Sequence, residues 1–518
     1  MISDEAYREL ENAIGPENIS REPAIMDGYA WQALETTDPD IWTTRPIAVV
    51  LPSSIEEVQA IIEVCKKYRL RFKAFSTGWG VHASVGYENV ILIDLRRMNR
   101  ILEIDEKNMY AVIEPYVCGA QLQAEAMKVG LNTHMIGAGC GPSPLASATS
   151  FQGMGWDGIY MSTSGRNVLG VEWVLPSGEV LRLGSLGSDS GWFCGDGPGP
   201  SLRGIMRGAI AAVGSLGVFT KCALKLFNWP GPPQPEVKGL LLDAKTKVAS
   251  NFKLYLCTFP DREKFSDAAY KIGEAEIGYI QVKNAIGLML ATMMPHLLKK
   301  LSRADALKKA LGAIGHQFMI MFAAHSQNEL DYQMKVLSQI VSENQGVLLD
   351  ISQIRPFYET FWWGLVRNSI PPLIFRALGN FHLGFGTDES FDSQSFAKKL
   401  GEDVKEKWIA DGAILDDLSD NAWMFLYENG MWSHYEELFL FDHRNPKQIG
   451  AISSINKNFL QVTKDNNICV GLYAHEPAAR KMFSPLQGNY NHWQKKILHM
   501  LGGESVSDTT YYTDEKDL

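Results

Sequence analysis

The chain has no run of basic residues longer than two, no closely spaced cysteine pairs, and no apolar stretch long enough to span a bilayer. Each absence excludes something. Nucleic-acid phosphates require a clustered positive footprint, and a formal net charge of -10 without one makes a small-molecule substrate the better expectation and no nucleic acid a partner. The seven cysteines (Cys65, Cys118, Cys140, Cys194, Cys222, Cys257 and Cys469) stand singly. That spacing fits neither a zinc site nor a disulfide framework; it reads as reduced thiols and favours a cytoplasmic location. The N-terminal MISDEAYRELENAIG is acidic and amphipathic, so no signal peptide is expected. The longest apolar run, Ala285 to Met294, meets Pro295 and then Lys299 and Lys300. A spanning helix needs about 20 apolar residues, so no transmembrane segment is expected. The stretch from Asn284 to Lys300 reads as an amphipathic or buried helix pair, with a membrane-surface or partner-docking element as the alternative.

What is present is a long chain, 518 residues with 46% apolar side chains, enough for two cores. Residues 46 to 76 read as strand, helix, strand: PIAVVL is β-like, SSIEE offers a capping box from Ser53 to Glu56, and Ile55, Val58, Ile61, Ile62 and Cys65 recur at helical spacing before RFKAFS extends again. The loop STGWGVHASVG follows. A dinucleotide-binding Rossmann turn opens a helix at this point, whereas here VILIDL continues as a strand. Phosphate held by such a loop would be held by backbone N–H groups in a nest, with Gly78 and Gly80 allowing close approach.

A second glycine-dense stretch, from Gly137 to Gly170, is too aromatic to be a linker and ends in the hairpin VLGVEWVL-PSG-EVLRL. A long ordered loop inside a compact domain is usually functional. AVGSLGVFT places glycines around a strand start, and WPGPP at 229 to 233 punctuates the chain as a boundary would. The expected class is α+β, divided into residues 1–235, a second α+β domain over 236–467, and a return of 468–518 to the first.

The order of these segments resembles the FAD-binding domain of the vanillyl-alcohol oxidase and p-cresol methylhydroxylase family over roughly residues 45 to 235. The resemblance implies a two-part FAD-binding domain interrupted by a cap over the isoalloxazine ring. It implies that Ser76, Thr77, Gly78, Trp79, Gly80 and Val81 hold the FAD pyrophosphate and that Ser147, Thr149, Ser150, Gly153 and Gly155 run along the flavin. Gly165, Asn167, Val168, Gly214, Gly217 and Val218 would approach the rest of the cofactor. Noncovalent FAD is expected, with His82 or His382 as the alternative attachment point.

In phenol-oxidising members a tyrosine of the glycine loop and a C-terminal Tyr-Arg pair bind the substrate as phenolate. Ala83, Gly471 and Leu472 stand at those places here, and Phe425 falls near an expected cap acid. The candidates for proton transfer are Asp157, His382, Tyr427, Tyr473 and His475, with Glu428 and His434 as further polar groups for the flavin side. The implied function is an FAD-dependent oxidoreductase in which a C–H bond of a small alcohol, hydroxy or aryl substrate gives hydride to flavin N5. The alternatives are a 2-hydroxy-acid dehydrogenase or alkylglycerone-phosphate-synthase-like activity, and a flavin electron-transfer subunit of a larger complex. The acceptor could be a cytochrome c or an electron-transferring flavoprotein, and a homo-oligomer is expected.

Overall fold

The computed structural model describes residues 2–30, 43–78, 81–136, 139–151, 153–193, 196, 200–208, 211–239, 244–283, 315–355, 357–368, 381–417, 422–442, 444–468, 483–488 and 490–513, with the backbone alone at 81, 357, 381–387, 484 and 487. The first sheet contains β1 (Ile19–Ser20), β2 (Ala48–Val50), β3 (Arg71–Phe75) and β4 (Val90–Asp94), in the order β1-β2-β4-β3. β2 and β3 run parallel to β4, so β2 and β3 need a crossover between them. The helix Ile55–Lys67 supplies it and buries Val58, Ile61, Ile62, Val64 and Cys65. Its cap lies one residue beyond the expected pair. Ser54 accepts from the Glu57 amide at 3.2 Å, and Glu57 reaches back to the Ser53 amide at 2.7 Å. The carboxylate must face the amide that precedes the cap, and Glu57 does so where Glu56 does not.

The second sheet is antiparallel, with β5 (Ile101–Asp105), β6 (Tyr110–Ile113), β8 (Val168–Val174), β9 (Val180–Leu183) and β10 (Val218–Lys225) in the order β5-β6-β10-β8-β9. Two short strands, β7 (Leu131–Asn132) and β11 (Phe227–Asn228), pair beside it. Among the described residues, the segment between β3 and β4 contains only a 3-10 turn, Val81–Ala83, so the glycine loop joins strands as its sequence implies. The long Gly/Ser stretch is ordered by short helices at Pro144–Thr149 and Gly158–Met161.

Beyond the short hairpin of β12 (Val237–Lys238) and β13 (Lys245–Thr246), a third sheet has β14 (Phe252–Thr258), β15 (Ile280–Val282), β16 (Gln317–Ala323) and β17 (Val347–Asp350) in the order β15-β16-β14-β17. A fourth has β18 (Phe381–Glu389), β19 (Ala422–Tyr427) and β20 (Trp432–Leu440) in the order β18-β20-β19. Lys283 bridges to Met424 between the two sheets. One core, which includes Phe265, Phe318, Phe391, Tyr435 and Phe459, spans both sheets and their helices.

The C-terminal segment packs on the first two sheets. Leu498, Leu501 and Tyr512 join the core of the second sheet. The Phe72 amide donates to Val506 and the Asp508 amide to Phe72, at 2.8 and 2.9 Å, along the free edge of β3. Cys65, Cys222 and Cys257 are buried free thiols, and Cys118 and Cys140 are half-buried and free; burial pushes the Cys65 thiol up to about 12. Among the described residues no helix is long and apolar enough to cross a membrane, and Asn284 to Lys300 lies outside them.

Candidate functional site

Three segments distant in sequence converge just beyond β3. In the glycine loop, the Ser76 hydroxyl donates to the Pro115 carbonyl and Thr77 Oγ1 accepts from the Ser143 amide at 3.0 Å. Gly78 has φ +68°, and a Cβ there would lie 2.4 Å from the Phe75 ring, so the turn requires glycine. The His82 ring stacks on Phe151 at 4.8 Å and meets the Tyr511 ring edge-on at 5.4 Å. The Ala212 and Val213 amides donate to Thr149 and Ser150, at 3.1 and 2.8 Å. Gly214 has φ +68° and lies against β3, with the Ala74 carbonyl 2.8 Å from where its Cβ would be. Thus Ser76, Thr77, Gly78, His82, Thr149, Ser150 and Gly214 come together, while Trp79 and Gly80 lie outside the described residues and only the backbone of Val81 is described.

The other expected cofactor residues divide. Gly153 donates its amide to Ser147 and accepts from Ser164, each at 3.0 Å, which folds the long loop on itself. Gly165 and Gly217 are required by neighbouring backbone, since a Cβ would lie 3.0 Å from Met206 O and 2.3 Å from Val174 O. Asn167 Nδ2 donates to Met161 O at 2.9 Å. The Val168 and Val218 side chains are wholly buried in the cores.

Asp157 immediately precedes the helix Gly158–Met161, yet its side chain does not cap it. The carboxylate turns back instead, with Oδ1 2.5 Å from His134 Nδ1 and Oδ2 accepting from the Met135 amide at 2.8 Å. Both side chains are buried, and His134 Nε2 lies 3.3 Å from the Gly153 carbonyl. This pair was not legible in the sequence, because His134 lies 23 residues from Asp157 and no spacing rule joins them.

The fourth sheet presents Trp423, Phe425 and Tyr427 toward the long loop, where Trp156 meets Trp423 edge-on at 6.3 Å. Tyr427 is fully buried; a Cβ on Gly158 would lie 2.4 Å from its ring. Its hydroxyl has no hydrogen-bond partner among the described residues. Burial, reinforced by Asp388, Glu436 and Asp157, pushes its pKa well above the usual tyrosine value, so it stays protonated near neutral pH. Glu428 receives Ser162 at 2.7 Å and pairs with Arg166 at 3.2 Å, which fastens the long loop to this sheet. His382 lies on β18 opposite Phe439, with its side chain outside the description. Tyr473 and His475 also lie outside it.

Beside Tyr427, buried His434 stands between Asp388 at 2.8 Å (Nδ1) and Glu436 at 3.1 Å (Nε2). Burial pulls its pKa down, but the two carboxylates outweigh this and raise it to about 9. A folded pKa above the unfolded value of about 6.5 gives stability that is complete below pH 6.5 and lost as pH rises through 9. Wild type should therefore lose on the order of 3 kcal/mol across that window, and His434→Gln should flatten the dependence. Thermal melts at half-unit pH steps check this; equal slopes in the two proteins would contradict it.

Residues 46–184 match the family model described as an FAD binding domain. A probable mitochondrial D-lactate dehydrogenase of Danio rerio is 24% identical over 268 residues, covering 51% of this chain and 48% of that protein. The 4-cresol dehydrogenase (hydroxylating) flavoprotein subunit of Pseudomonas putida is 31% identical over 202 residues, 36% of each chain. The chain thus spans about half the length, or less, of these curated relatives. A solved structure of 4-ethylphenol oxidase from Gulosibacter chungangensis superposes with a TM-score of 0.72 at 17% identity, covering 100% of this chain and 99% of the other. Residues 46–184 thus carry an FAD-binding domain, and the chain shares its fold with 4-ethylphenol oxidase. The residues at the convergence fit that cofactor, because left-handed Gly78 and Gly214 leave room for close approach and Lys73, whose side chain lies against the Gly214 turn, is a buried ammonium with no acceptor among the described residues.

Proposed function

We propose that this protein is an FAD-dependent oxidoreductase acting on a C–H bond of a small alcohol, hydroxy or aryl substrate. The observation that carries the reading is the meeting of the glycine loop, the long loop and the Gly214 turn inside the matched FAD-binding domain. Bound FAD supplies the hydride-accepting chemistry, and the chain supplies position and charge. In this reading Ser76, Thr77, Gly78 and Gly214 hold the pyrophosphate side, and the sheet of Trp423, Phe425 and Tyr427 covers the substrate and excludes water. The Asp157–His134 pair is the acid–base unit of this reading; Asp157 holds Nδ1, and Nε2 takes the proton of a substrate hydroxyl once it leaves the Gly153 carbonyl. Tyr427, protonated, is suited to donating a hydrogen bond rather than accepting a proton.

A 2-hydroxy-acid substrate is the second reading, favoured by the D-lactate dehydrogenase relative. The surroundings of Tyr427 oppose it, because Asp388, Glu436 and Asp157 all bear on that hydroxyl and protonated His434, between the first two, offsets only one of these charges. Transfer of electrons to a cytochrome c or an electron-transferring flavoprotein, assembly as a homo-oligomer and a cytoplasmic location belong to the same proposal.

The test is the absorbance spectrum of the purified protein before and after acid precipitation, followed by anaerobic bleaching with aryl alcohols, alkylphenols and 2-hydroxy acids. A yellow protein that releases its flavin to the supernatant and is bleached by an aryl alcohol is expected. A colourless protein that takes up no FAD would sink the proposal.

A further inference from the structure

Lys73, the central residue of β3, is 1% exposed, and its ammonium has no hydrogen-bond acceptor among the described residues. An isolated buried ammonium is expensive, because its lost hydration is normally replaced by an ion pair or several acceptors. Neither is present among the described residues. Nζ lies 4.7 Å over the Tyr511 ring, a contact that offsets part of the lost hydration. Asp508 is the opposing charge that acts on it, but its two oxygens already accept from the Gly86 and Thr510 amides, at 2.8 and 3.0 Å.

The placement identifies what is missing. Lys73 stands three residues before the glycine loop, and its Cγ is 3.5 Å from where a Cβ on Gly214 would lie. The Tyr511 ring beneath its ammonium meets His82, which in turn stacks on Phe151 of the long loop. Lys73 therefore lies against the Gly214 turn at the foot of the glycine loop, and Tyr511 and His82 link its ammonium to the long loop. Backbone N–H groups of a loop supply only partial charges, whereas a pyrophosphate carries full ones that act over several ångströms in a dry interior.

We infer that Lys73 is the buried counter-charge of the FAD pyrophosphate, holding a positive potential under the glycine loop that the cofactor's phosphates complete. The inference rests on the FAD reading above and adds a residue to it. Burial depresses the pKa of Lys73, with Asp508 opposing, as expected for an ammonium whose partner arrives with the ligand.

Two readouts on the full-length apoprotein test it, the FAD dissociation constant from flavin fluorescence quenching and the melting temperature without FAD. In Lys73→Met, FAD should bind about ten- to a hundredfold more weakly, the range for a lost charged interaction. The FAD-free protein should melt at the same temperature or higher, because an unpaired buried charge has been replaced by a thioether of similar length. Lys73→Gln should move FAD binding in the same direction. FAD affinity within twofold of wild type would overturn the inference. So would a fall in the FAD-free melting temperature, or failure of both variants to fold, because either would make the ammonium part of the unloaded fold. Wild type that binds no FAD would overturn the functional proposal itself, whereas wild type that binds while Lys73→Met binds equally well removes only Lys73.

Discussion

Lys405→Met is expected to lower the unfolding free energy by about 3–5 kcal/mol at pH 8, and by distinctly less at pH 5. Lys405, on the helix Phe391–Ala410, donates to Asp417, to Glu437 at 2.9 Å and to the Leu438 carbonyl at 2.8 Å, and its side chain and those of both acids are fully buried. Removing the cation leaves two carboxylates facing each other without water. Burial already pushes the Glu437 carboxyl up to about 7, with Lys405 pulling it down. Because this folded value lies above the unfolded one, its contribution is complete below about pH 4.5 and is lost as pH rises through 7. Without Lys405 the carboxyl moves higher still, so acid should restore part of the loss. Denaturant titrations at pH 5, 7 and 8 measure this. A loss under 1 kcal/mol, or one that does not change with pH, would show that the network is solvated. Adding Asp417→Asn and Glu437→Gln should recover much of the deficit, since uncharged groups can fill the same space without an unpaired charge.

Gly155→Ala is expected to be the most damaging single methyl in the long loop. Its Cβ would lie 1.9 Å from the Met135 carbonyl, 2.5 Å from Asn368 Nδ2 and 2.8 Å from His134 Cε1. The first contact is with backbone and cannot rotate away, so the loop must shift as a body. That shift would part Asp157 from His134 and Asn368 from Met135, which are joined at this point. A loss of about 3 kcal/mol is expected, in the range for overpacking and broken buried polar contacts. Flavin content should fall with it. Gly141→Ala is the control, because it is exposed and nothing lies within 4 Å of its Cβ position. Calorimetry and flavin content of the two variants should differ sharply, and equal behaviour would mean the loop tolerates the displacement.

Local sequence carried much of the fold. The helix Ile55–Lys67 was visible in its apolar spacing, and the absence of a helix after the glycine loop was visible in the strand pattern that follows it. The left-handed turn at Gly78 was legible because only glycine takes that backbone cheaply, whereas the left-handed turn at Gly214 was seen only in the structure. Gly165, Gly217, Val168 and Val218 stood in the same motifs, and their packing against neighbouring backbone and core was not legible from motif order.

The polar chemistry was the least legible. Asp157 was noticed because it follows glycines, but its partner His134, the clasp by Asn368 and the enclosure of Lys73 by Tyr511 come from segments up to several hundred residues apart. The sequence by itself determined the α+β class, the strand-joining character of the glycine loop and the likeness to FAD-binding flavoproteins, since these depend on local periodicity, backbone freedom and motif order. Only the tertiary structure decided which titratable groups are buried, which are paired and which are left without a partner. Those outcomes depend on dielectric surroundings and on contacts across the chain, and neither is written in the order of neighbouring residues.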